Sequence, residues 1–189
     1  IETTHSRTDA ALAHLEQALK SSRKCARANV LLGDIRAAAG DHQAAIEAWK
    51  RIEQQNPAYL AHAQKIAGFL MNHPRLPADR VPYWDYDAPG IPNVPRDASA
   101  AAIMCSAFFE LSTLATGDTA AKYRTFATQQ LRSLASPAYR AKVGENGNFI
   151  LMHATGHLPG KSEIDVPINY GDYYFLEALH RCRALEKKR

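Results

Sequence analysis

Residues 97–114 read DASAAAIMCSAFFELSTL, and how this stretch is read decides the fold. No charged residue follows Asp97 until Glu110, so a helix built here has no solvent face. A helix that is apolar all round belongs among other helices. Its alanines and serines let neighbours approach closely. The next stretch, TAAKYRTFATQQLRSL at 119–134, is its complement. Helical spacing puts Tyr123, Phe126, Ala127, Gln130 and Leu134 on one face, with Lys122, Arg124, Gln129 and Arg132 around the other. An inner buried helix followed by an outer amphipathic one predicts concentric helical layers. Gly117-Asp118 separates the two.

Upstream the composition changes. Six of the ten prolines fall between Pro74 and Pro95, and each removes a backbone donor and biases its predecessor away from helix. The same stretch holds Tyr83, Trp84, Asp85, Tyr86 and Asp87, followed by Arg96-Asp97 at the start of the apolar helix. Downstream, Ser136-Pro137 predicts a short helical turn. GENGNFILMHATGHLPG then reads as a Gly- and Asn-containing loop, leading to a last helix from about 170 to 185.

The first part of the chain is helical on a different pattern. Ala11, Leu12, Leu15, Ala18 and Leu19 predict a helix over 8–22, with Thr8 as its N-cap. Helices over 26–39 and 42–54 follow, separated by Gly40-Asp41 and ended before Asn56-Pro57. A fourth, over 58–71, carries Tyr59, Ala63, Ile66, Ala67 and Leu70 on one face. The fold class expected is all-α: about seven helices in antiparallel hairpins.

Composition narrows the function. At 189 residues with 46% apolar content, the chain can form one domain, or one small and one medium domain. The net charge is +4, but the basic residues are scattered. Their only cluster, RCRALEKKR, suits the C-terminal end of a helix, so no nucleic-acid partner is expected. Cys25, Cys105 and Cys182 are odd in number and far apart, which indicates neither a disulfide framework nor a zinc site. No metal and no cofactor is expected. No apolar run approaches the roughly 18 residues that a membrane span needs. The first residues lack a signal-peptide core and also lack a Met, so compartment is not read from them; a soluble chain is expected, with the cytoplasm favoured.

Two sets of residues could carry chemistry. Trp84 and its neighbouring tyrosines offer stacking faces for a sugar ring, and Asp85 offers a hydrogen-bond acceptor or an acid. Equally, the aromatics could pin the loop while the acids close turns. Arg96 and Asp97 lie at a helix start, where anions are favoured; Arg96 could take a substrate carboxylate, or pair with an acid in the loop while Asp97 caps the helix. His153, His157, Lys161, Ser162, Glu163 and Asp165 are polar but have no zinc-like or phosphate-binding spacing.

Two resemblances add to this reading. ARANVLLGDIRAAAGDHQAAIEAWKRIEQQNPA resembles the tetratricopeptide repeat, with Leu32-Gly33 at the close packing point, Ala45 and Trp49 on the second helix and Pro57 as terminator. The preceding helix repeats the second half of the same unit, which makes about one and a half repeats over 8–57. Asn29 and Arg36 stand where large aromatics are usual. The wording of this segment is similar to the repeats of lipopolysaccharide assembly protein B. Such repeats imply a partner-binding groove, although about three are usually needed for stability alone.

LPADRVPYWDYDAPGIPNVPRDASAAAI, LASPAY and HATGHLPGKSEIDVPINYGDYYFLEAL are similar, over about 59–184, to the C-terminal half of the unsaturated glucuronyl hydrolases. That resemblance implies part of an α/α six-hairpin toroid with inter-helix loops forming a sugar pocket. It also implies, as ligands, oligosaccharides with an unsaturated uronic acid at the non-reducing end. In that family a carboxylic acid protonates the ring double bond and water adds across it, after which the product falls apart. The family's catalytic aspartates and its Arg-Gly-Gln-x-Trp stretch have no counterpart here. The chain therefore reads as an apparent chimera, with a tetratricopeptide-like segment over 1–57 and a partial toroid over 58–189. Catalysis is expected to be impaired, and the catalytic residues are unknown. Trp84, Asp85, Arg96 and Asp97 are the candidate substrate-binding residues. A protein partner for the first segment, packing of its helices against the Ala-rich helix, and self-association are further expectations.

Overall fold

The computed structural model describes residues 2–21, 26–53 and 57–187. Among them are seven α-helices and one two-stranded sheet, and the chain divides into two compact units, Ile1–Ala63 and Gln64–Arg189. Cys25, Gln54 and Asn56 lie outside the described residues.

The first unit holds α1 (Glu2–Ser21), α2 (Ala26–Ala38) and α3 (His42–Glu53). Helix α1 starts before Thr8, which lies inside it rather than capping it. No Pro or Gly in residues 2–8 stops the helix earlier. Leu19, Ala28, Leu32 and Ala48 form the core, with Leu12 and Leu15 packed against it. The turn between α2 and α3 follows from Gly40, whose φ of 81° is left-handed and so favours glycine. That conformation lets Asp41 donate its backbone N–H to the Arg36 carbonyl at 2.9 Å, while the Asp41 carboxylate accepts from Ala44 N at 3.2 Å and starts α3. Across the hairpin, Gly33 lies under the Trp49 indole: a Cβ there would stand 2.1 Å from Nε1.

Helix α4 (Pro57–Asn72) begins at a proline, whose missing N–H costs nothing at a first helical position. The division between the two units falls inside it.

In the second unit α5 (Ala98–Leu114) packs against both α6 (Gly117–Leu134) and α7 (Asn169–Glu186). The mostly apolar composition of α5 has its cause in this position: Ala101, Ala102, Cys105, Phe108 and Phe109 are all buried, although Ile103 and Ala107 give the helix a narrow exposed side that the sequence does not suggest. Tyr123, Phe126, Ala127, Leu131 and Leu134 of α6 complete the core, with Phe175 and Ala178 of α7 and Ala67 of α4. A polar seam also joins α5 and α7. Arg181 pairs with Glu110 and Glu177, and the Ser106 hydroxyl donates to Glu177.

Between helices the backbone is organised by short pairings. Tyr83 and Arg96 form an isolated antiparallel bridge that closes the Pro-rich loop, and Arg140 bridges Leu151. Ser136-Pro137 starts a single hydrogen-bonded turn, in which Tyr139 N at 3.1 Å and Arg140 N at 2.8 Å both donate to the Ser136 carbonyl. The segment read as a loop contains a hairpin of β1 (Ala154–His157) and β2 (Ser162–Val166) with a bulge in its register. Strands of four and five residues interrupted by Gly156 and left-handed Glu163 and Asp165 show no period-two pattern, which is why the sequence does not reveal them.

Candidate functional site

Three segments of the second unit meet at the start of α5: the Pro-rich loop, the segment after α6 and the hairpin. Asp97 is the N-cap of α5. Its Oδ1 accepts from Ser99 N at 3.0 Å, Ala100 N at 3.2 Å and the Ser99 hydroxyl at 2.6 Å. It also accepts from Thr155 N at 3.3 Å, while the Thr155 hydroxyl donates to the Arg96 carbonyl at 3.0 Å. One carboxylate thus satisfies the first amides of a helix and anchors β1 to it.

Arg96 points into the loop. Its guanidinium pairs with Asp79 at 2.5 Å and donates to the Val81 carbonyl at 2.6 Å and 3.1 Å. It lies over the Tyr83 ring at 5.1 Å and the Tyr139 ring at 5.9 Å, and its side chain is 25% exposed. The Tyr139 hydroxyl donates to Asp79 Oδ2 at 2.7 Å. Burial first, and then the bond to Asp79, raise the Tyr139 pKa above the ordinary phenol value.

Trp84 is half-buried, with its backbone N–H on the Pro95 carbonyl at 3.1 Å. Asp85 is exposed and closes a turn by accepting from Asp87 N at 2.7 Å. Tyr86 holds the loop down: its ring stacks near His73 at 4.5 Å and Phe69 at 6.2 Å, and its hydroxyl meets the Met104 sulfur at 3.7 Å. Burial pushes its pKa up to about 12.

The four candidate residues therefore divide. Trp84 is half-buried and Asp85 exposed along the loop, whereas Arg96 and Asp97 tie its base to neighbouring segments. Sequence reasoning missed Asp79, Tyr139 and Thr155, which join this base, and Asp172, whose two carboxylate oxygens accept from Ile150 N at 2.7 Å and Leu151 N at 2.8 Å. It also left His153 and Asp165 as two polar residues among several. His153 Nδ1 and Asp165 Oδ1 are 2.6 Å apart. The His153 ring meets Tyr139 edge-on at 6.1 Å, and its backbone carbonyl accepts from Ala98 N at 2.9 Å. No local sequence signal marks this pair. Among the described residues no group of three or more metal-binding side chains occurs.

Comparison with known proteins finds two kinds of relative. The tetratricopeptide repeat family matches residues 4–59. Over 130 residues, 69% of this chain, the sequence is 56% identical to an unsaturated glucuronyl hydrolase of Formosa agariphila. It is also 36% identical over 129 residues to an unsaturated chondroitin disaccharide hydrolase of Streptococcus pyogenes. These matches cover 32% of each relative, so the chain spans about a third of their length. Among solved structures, an unsaturated glucuronyl hydrolase specific for heparin superposes with a TM-score of 0.69 at 45% identity, covering 74% of this chain and 38% of the other. The homologues of about two thirds of the chain are thus unsaturated glucuronyl hydrolases, and its first part carries tetratricopeptide repeat sequence. No described helix is long and apolar enough to cross a membrane.

Proposed function

We propose that the second unit carries part of a binding site for oligosaccharides ending in an unsaturated uronic acid, and that this chain by itself hydrates them poorly. The observation that carries the reading is the 56% identity over 130 residues to a glucuronyl hydrolase, in a segment that includes less than half of that relative. In this reading Trp84 offers a face to the sugar ring and Asp85 accepts from its hydroxyls. Arg96 and Asp97 hold the loop in place from beneath.

Weak turnover follows from what the nearby acids do. Hydration of the double bond needs a carboxylic acid with a proton to give. Asp97 is occupied by three amides and a hydroxyl, Asp79 by Arg96 and Tyr139, and Asp165 by His153. Asp85 is exposed and turned to its own loop.

The test is incubation of the purified chain with an unsaturated disaccharide, followed by the ultraviolet absorbance of the conjugated double bond and, separately, by calorimetric titration. Saturable binding with little loss of absorbance is expected. Rapid loss of absorbance would overturn the poor turnover, and no heat of binding would overturn the site itself.

A second reading, a non-catalytic interaction module, is favoured by the repeat match at 4–59 and by the exposure of Val30, Leu31, Ile46 and Trp49 on α2 and α3. Replacing Leu31 and Ile46 by Gln should then abolish partner binding and leave sugar binding intact.

A further inference from the structure

His153 and Asp165 are both left-handed, with φ of 64° and 55°. Neither is glycine, and such backbone persists in other residues only where the surroundings demand it. Asp165 is the extra residue of the bulge in β2: Thr155 pairs with Ile164 and Ala154 with Val166, so no residue of β1 opposes it. Glycine is favoured at a left-handed bulge position, and a bulge re-aims the side chain it carries. Here that side chain is a carboxylate placed 2.6 Å from the imidazole.

Stability alone accounts poorly for the arrangement. The two side chains are 42% and 59% exposed, and a polar contact in such surroundings adds little to folding. The ring is nevertheless fixed on two sides, by Asp165 at Nδ1 and by the edge-on contact with Tyr139, itself bonded to Asp79 and covered by Arg96. Its other nitrogen, Nε2, has no hydrogen-bond partner among the described residues.

We propose that His153 is a sugar-contacting residue and Asp165 its positioning residue. Asp165 accepts a hydrogen bond from Nδ1–H and so presents Nε2 as an acceptor to a hydroxyl of the uronic-acid oligosaccharide. The inference rests on the reading of the second unit as a sugar site.

The test uses the full chain, labelled with nitrogen-15. In the free protein the His153 resonances should report a proton on Nδ1, and adding the unsaturated disaccharide should shift the Nε2 resonance. His153→Ala should weaken binding about tenfold, the scale of one good hydrogen bond. Asp165→Asn keeps an acceptor but loses the charge, so binding should weaken about threefold and the ring should populate both tautomers. A free protein with the proton on Nε2 would overturn the proposal. So would unchanged affinity in a folded His153→Ala chain. If that variant does not fold, the wild-type shift and Asp165→Asn decide. A wild-type chain that binds no disaccharide removes the sugar site and this role together, whereas binding that ignores His153 removes only this role.

Discussion

Tyr139 and Asp79 are joined by a 2.7 Å hydrogen bond across 60 positions of sequence. The other oxygen of the same carboxylate takes Arg96 and the Val81 amide, so Asp79 holds a turn, a cation and a phenol at once. That junction fixes the Pro-rich loop to the segment that follows α6. It determines where Trp84 and Asp85 are presented.

Loss of either partner should therefore be felt differently. Tyr139→Phe removes one hydrogen bond and should cost about 1 kcal/mol. Asp79→Asn leaves a guanidinium at a half-buried position without its counter-charge; for a fully buried pair the cost would be larger, and partial solvent screening brings it to about 2 kcal/mol. The double variant should cost less than the sum, because both act through one carboxylate. Urea unfolding followed through Trp84, in a Trp49→Phe background, reads this unit alone. Strict additivity would show that the junction is not shared.

Asp97→Ala should be among the more destabilising single changes in the second unit. It strands the first amides of α5 and the Thr155 amide together, so about 2 kcal/mol or somewhat more is expected. Asp97→Asn keeps an acceptor oxygen and should cost less than half as much. Thermal unfolding of the two variants measures the difference. Equal losses would mean that charge, not capping, is what α5 requires from this residue.

Most of the helices can be read from the sequence because their physics is local. Most of the apolar run of 101–109 is buried against α6 and α7, with only Ile103 and Ala107 exposed within it, and Gly40-Asp41 can do little else than turn the chain. The site is a different matter. Asp79 and Tyr139 are far apart in sequence, Asp172 finds its two amides 21 and 22 positions earlier, and β2 depends on left-handed Glu163 and Asp165, which no periodicity announces. Trp84 and Asp85 stand out by residue type alone, whereas the pairing of His153 with Asp165 exists only once the hairpin has formed.

In the first unit Gly33 tests the contact between α2 and α3. Alanine gains up to about 1 kcal/mol of helix propensity over glycine. Its Cβ, however, would fall 2.1 Å from the Trp49 indole, which must swing away or separate the helices. Overpacking of this kind costs roughly 1–3 kcal/mol, so Gly33→Ala should be net destabilising. Adding Trp49→Leu should restore much of the loss. Trp49 fluorescence should shift to the red in the single variant, and an unshifted spectrum with unchanged unfolding would show that the indole gives way freely.

At high pH, Tyr86 should limit stability. Burial lifts its pKa to about 12, above the ordinary phenol value near 10. Below about pH 10 the phenol is protonated in both folded and unfolded chains and stability does not depend on it. Between about pH 10 and 12 the unfolded chain releases this proton and the folded chain does not, so the unfolded state gains and stability falls as pH rises. Phenolate absorbance during an alkaline titration should show a late fraction that Tyr86→Phe reduces by one of the eight tyrosines. Tyr139 should remain late in that variant, because its own pKa is raised by burial and by Asp79. The variant should also lose stability less steeply than the wild type over this window. A late fraction unchanged by Tyr86→Phe, with the lost tyrosine missing from the fraction that titrates near pH 10, would mean that its ring, although packed against His73 and Phe69, keeps its hydroxyl open to water.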